Sequence, residues 1–151
     1  MSNKQYTMAT LAGGIAMFAT GYLLYELVLG DFFANNTGTA TGVMRETPLY
    51  WSIIVGSVIT AAFLVMVIGW RGDSSAGAGL KTGAFVGLIT ALGSNFVMYG
   101  AYNLANLTST LSGALVDMIL FGVSGAVIGA VLSTASASTT TTSGSGSSRG
   151  D

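Results

Sequence analysis

The stretch GAGLKTGAFVGLITALGSNFVMYGAY, Gly77–Tyr102, decides the fold. Gly79, Gly83, Gly87 and Ala91 recur four residues apart, and Asn95 and Tyr99 continue the spacing. In an α-helix such residues stand nearly above one another, because 3.6 residues complete a turn. The glycines therefore predict a slowly winding groove without side chains, flanked by Phe85, Val86, Leu88, Ile89 and Leu92. A groove of that kind lets a second backbone come close, which is how helices associate where lipid removes the hydrophobic drive. The expectation is a membrane helix at the centre of a small bundle.

Composition points the same way. Of 151 residues, 51% are hydrophobic and 7% charged, and mean hydropathy is +0.68. A soluble domain carries roughly 25% charged residues, so five basic and six acidic side chains are too few to wet a surface of this size. The net charge of −1 gives no reason to expect a nucleic-acid partner. Without cysteine or histidine the chain lacks thiolate chemistry, the commonest general base and the commonest metal ligands. No catalytic residue, metal site or cofactor is therefore expected.

Four apolar runs stand out, at about residues 6–29, 49–70, 79–102 and 114–132, each near the roughly 20 residues that cross a bilayer. The first is longer than the apolar region of a signal peptide and is expected to stay as a span. The second carries Tyr50 and Trp51 at one end and Trp70 at the other, as interfacial aromatics do. Pro48 suits the first turn of that helix, where its missing N–H costs nothing. Residues 1–133 thus form one all-α, four-span transmembrane domain. Residues 134–151 follow as a Ser/Thr/Gly-rich low-complexity tail, too polar to fold by burial alone.

Four spans place both termini on one side. Lys4, Arg71, Lys81 and Arg149 gather there, against Arg45 alone on the other. The positive-inside rule then puts the termini in the cytoplasm and the bundle in a membrane such as the bacterial plasma membrane. Gly21-Tyr22 through Tyr25 echoes Gly93 through Tyr99, a thin hint of a parallel two-span repeat.

Each span offers a face for close packing: Gly14 and Gly21 in the first; Ser52, Gly56 and Thr60 in the second; Gly79, Gly83 and Gly87 in the third; Gly122, Gly125 and Gly129 in the fourth. Against these stand a few polar groups toward the outer half. Glu26, Asn95 and Asp117, with Tyr22 and Tyr99, make a candidate polar pocket for a cation or proton. A carboxylate at mid-membrane costs roughly 2.5–3.5 kcal/mol, so Glu26 needs a partner or an interface. Asp117, if its helix begins near Ala114, sits in the first turn, where the helix dipole favours an anion. Capping and interfacial anchoring are the competing explanation of these acids.

Other motifs fail on inspection. The 72–82 loop lacks the glycine that a phosphate-binding loop needs where Leu80 stands, and an apolar helix precedes it in place of a strand. Gly122-Val123-Ser124-Gly125-Ala126 lacks the final glycine of a nucleophile elbow. Arg71-Gly72-Asp73 and Arg149-Gly150-Asp151 read as coincidental tripeptides.

The layout is similar to a family of small four-span bacterial membrane proteins known mainly as a domain of unknown function. The likeness rests on Gly21-Tyr22-Leu23-Leu24-Tyr25, the glycine-rich entry to the third span, and Asp117 through Gly129, and covers about residues 9–132. It implies a compact helical bundle and carries over no activity. The functional expectation is a non-catalytic integral membrane protein, a structural or accessory subunit that self-associates or joins other membrane subunits amid membrane lipid. The alternative is a small ion, proton or small-molecule channel or carrier built on the acidic and tyrosine cluster.

Overall fold

The computed structural model describes residues 2–72 and 75–143, with side chains to residue 134. The C-terminal part of the low-complexity tail, with Arg149-Gly150-Asp151, lies outside the described residues, as does Asp73. The protein is all-helical. Four of its helices are long and apolar enough to cross a membrane, and they pack together as a four-helix bundle.

Helix α1 (Asn3–Gly21) opens with a capping box, in which Ser2 and Gln5 bond each other's backbone N–H. It widens into a π-helical segment at Tyr22–Val28 and leads to the short α2 (Gly30–Asn35). Helix α3 (Tyr50–Arg71) ends at Gly72, whose φ of 71° is the left-handed conformation that glycine adopts at helix ends. Helix α4 (Ala76–Ala101) is capped by Ser75, which accepts from the Ala78 N–H. Helix α5 runs Leu107–Ser143.

Three expectations need correction. Pro48 lies two residues ahead of α3, which starts at Tyr50 with Leu49 as its cap, so it precedes the helix and does not form its first turn. The segment at 107–113, expected as loop, is already helical. Asn106 begins α5 by accepting the Ser109 N–H at 2.9 Å, and Thr110 returns its hydroxyl to the Asn106 carbonyl at 2.8 Å. Such local bonds offset the modest helix propensity of Ser and Thr.

The third correction concerns the centre. In α5 44% of the most apolar window is buried, against 11% in α4. The fourth span, and not the glycine-grooved third, is the central helix. It touches α4 on one side and α1 on the other, while α3 packs mainly on α1. The core joins Ala9 and Met17 of α1, Leu64, Val65 and Ile68 of α3, and Leu120, Ile128 and Leu132 of α5. Helix α4 contributes its glycine groove instead. A Cβ at Gly79 or Gly83 would strike the carbonyls of Gly125 or Phe121, and one at Gly87 would meet Phe121 and the Asp117 carbonyl. Close approach buries a whole face of α4 with hardly any side-chain volume, so α4 adds little to the apolar core.

Large apolar side chains cover the outside, among them Ile15, Ile59, Phe85, Val97 and Leu115, with Trp51 and Trp70 near opposite ends of α3. In water these surfaces would be an aggregation hazard; lipid removes that cost.

Candidate functional site

At the end of the bundle where α1 meets α2, the chain changes its winding. The Leu29 N–H reaches back five residues to the Leu24 carbonyl at 2.9 Å, the bond of a widened helical turn. Such turns rotate side chains out of the regular register, and they occur often at functional sites. Here the turn carries Tyr22, Tyr25 and Glu26. The Tyr25 hydroxyl donates to Asp117 Oδ1 at 2.8 Å, with the Gly113 carbonyl at 3.3 Å as a weaker second acceptor. The Phe33 ring of α2 lies 5.1 Å from the Tyr25 ring and fixes it from the outer side.

Asp117 is therefore not in a first turn, as the sequence suggested. It stands ten residues past the start of α5 at Leu107, beyond the reach of the helix N-terminus. What holds it is a tyrosine hydroxyl from another helix.

The five candidate pocket residues do not share one cavity. Asn95, Tyr99 and Asp117 line a cavity of about 220 Å³ between α4 and α5, with Thr110 and Gly113. Asn95 donates to the Thr110 carbonyl at 3.2 Å. Tyr22 and Glu26 line a different cavity of about 400 Å³ between α1, α3 and α5. Tyr25 forms part of both walls and separates them. The reason is local: neighbouring residues on a helix do not face the same way. With Tyr25 turned to α5, Glu26 is exposed and has no hydrogen-bond partner among the described residues.

The packing glycines also divide. Gly79, Gly83, Gly87, Gly125 and Gly129 sit at backbone distance from the opposing helix, and Gly122 approaches Ala84. Gly14 faces Val58 and Gly21 faces Leu120. A Cβ at Gly56 would meet no other described element within 4 Å; that glycine lines the 400 Å³ cavity instead. The suggested repeat of Gly21–Tyr25 and Gly93–Tyr99 is not mirrored in structure, since the first is widened while the second is regular α-helix.

Sequence reasoning missed a polar clasp over the cavity between α4 and α5. The Gly38 N–H bonds the Leu104 carbonyl and the Ala40 N–H the Asn103 carbonyl, each at 3.0 Å. Asn103 also pairs with the Thr39 hydroxyl, and the Asn106 amide donates to Asn36 Oδ1 at 3.1 Å. Both connecting segments thus lie on one side of the bundle. Asparagines recurring in the two uncharged linkers were the available signal. Their pairing lies some 70 residues apart in sequence and was not readable from either linker alone.

Chemically, the arrangement offers one hydrogen-bonded carboxylate, one free carboxylate and several phenols. Among the described residues no three acidic side chains converge as a metal site. No family model, curated protein or solved structure matches the chain.

Proposed function

We propose that this protein is a non-catalytic integral membrane protein that acts as a structural or accessory subunit, associating with itself or with other membrane subunits. The observation that carries this reading is on the C-terminal half of α4. Gly93 and Gly100, seven residues apart on one face, have no atom of another described element within 4 Å of an added Cβ, and Phe96 and Val97 beside them are exposed. The notches at Gly79, Gly83 and Gly87 on the same helix are filled by α5. A second helix from another subunit fits the same geometry.

The proposed setting is a bacterial plasma membrane with the N and C termini cytoplasmic, supported by Lys4, Arg71 and Lys81 on one side and Arg45 on the other. Gentle extraction followed by crosslinking and native electrophoresis tests the assembly. A species well above 15.3 kDa, reduced to monomer by Gly93→Leu or Gly100→Leu, is the expected result. A wild-type monomer at every protein concentration and in every mild detergent refutes it.

A second reading, a small proton or ion carrier, is favoured by the Tyr25–Asp117 hydrogen bond inside the bundle, since polar groups at such depth often mark transport paths. Its test is flux into liposomes by wild type and Asp117→Asn. Equal flux from both removes it.

A further inference from the structure

The 400 Å³ cavity is a wedge. Helix α3 packs through its second half, where Ala61, Leu64, Val65 and Ile68 are buried, while residues 51–56 are exposed. The outer half of α3 thus stands away from α1 and α5. The missing side chain of Gly56 deepens the opening, and Phe18, Ile53 and Leu120 give it apolar walls. At its mouth the Tyr22 and Tyr50 rings meet edge to face, 6.4 Å apart, next to Glu26.

We propose that this wedge binds an amphiphilic organic cation, its apolar body among Phe18, Ile53 and Leu120 and its charge held by Glu26 with the Tyr22 and Tyr50 rings. The volume falls within the roughly 300–1,000 Å³ usual for small-molecule sites. Glu26 is exposed, two residues from the end of the first span at Val28, and no described residue pairs with it, so its charge is open to a ligand's. Tyrosine faces attract cations and add nothing for anions. The surrounding end of the bundle is acidic: Asp31 and Glu46 accompany Glu26, and among the described residues Arg45 is the lone basic side chain there. A cation with an apolar body also concentrates in lipid, from which the wedge is open.

The test uses the full chain in nanodiscs of phosphatidylcholine, with tetraphenylphosphonium as probe and tetraphenylborate as an anion of the same shape. After subtraction of empty discs, saturable binding of the phosphonium alone is expected. Glu26→Gln weakens it about tenfold or more, because the charge pair is lost. Tyr50→Phe keeps the ring face and the affinity, while Tyr50→Leu loses about three- to tenfold. Gly56→Leu fills the wedge and abolishes binding; folding tolerates it, since the added side chain starts in open space. Absent phosphonium binding above empty discs, equal uptake of borate, or unchanged affinity in Glu26→Gln and Gly56→Leu overturns the proposal. The readout is a binding isotherm, so it holds or fails apart from the subunit reading, which turns on Gly93 and Gly100.

Discussion

Gly79 of α4 and Gly125 of α5 exclude each other's side chains: a Cβ built on either one falls against the carbonyl group of the other. The obstruction is backbone on both sides, which cannot rotate away as a flexible side chain can. This reciprocal contact sets the spacing of the central helix pair.

Gly79→Ala or Gly125→Ala should therefore force the pair apart, at a cost of about 1–3 kcal/mol from overpacking, and Gly83→Leu should cost more. Alanine at Gly56, where an added Cβ meets no described atom within 4 Å, should instead stabilise by about 0.5–1 kcal/mol, because alanine is the better helix former. Thermal unfolding in one detergent compares them. Equal effects at Gly79 and Gly56 would show that the groove is not a contact.

The Tyr25–Asp117 bond predicts an asymmetry. Tyr25→Phe removes the donor and strands an oxygen inside the bundle, costing about 1–3 kcal/mol. The double variant Tyr25→Phe with Asp117→Leu should recover part of that loss, because no unpaired acceptor remains. A double-mutant cycle by unfolding in detergent measures the coupling; additive losses would deny the bond any role in stability.

Asn106 serves two elements, as the cap of α5 and as the partner of Asn36. Asn106→Ala should cost about 1 kcal/mol as a lost cap and loosen the 36–40 segment at the same time. Hydrogen exchange reads both: faster exchange is expected at Ser109 and also at Gly38 and Ala40, whose N–H groups bond residues 103 and 104. A change confined to Ser109 would separate the clasp from the cap.

Thr10 is buried on α1, and its hydroxyl oxygen has no hydrogen-bond partner among the described residues. Thr10→Val keeps the shape and removes the stranded polar group. The expected gain is about 1 kcal/mol, seen as a higher unfolding temperature. A loss would mean that the hydroxyl is satisfied by water.

The sequence by itself determined the class. Apolar runs punctuated by polar linkers predict four helices long enough to cross a membrane, because spanning length and hydropathy are properties of a local window. The four-residue spacing of Gly79, Gly83 and Gly87 likewise read out directly, since helical register is local. Asn95, Tyr99 and Asp117 were legible as members of one cluster.

Only the tertiary structure decided which helix is central, because that depends on what the opposing helix offers: α5 presents glycines to α4 and Leu120 and Ile128 to the core. It alone turned Tyr25 toward Asp117 and left Glu26 on the other side of that ring. Helix periodicity assumes 3.6 residues per turn, and the widened turn at Tyr22–Val28 breaks that assumption where the site is built. A pairing that spans about ninety residues is fixed by packing, which no local pattern records.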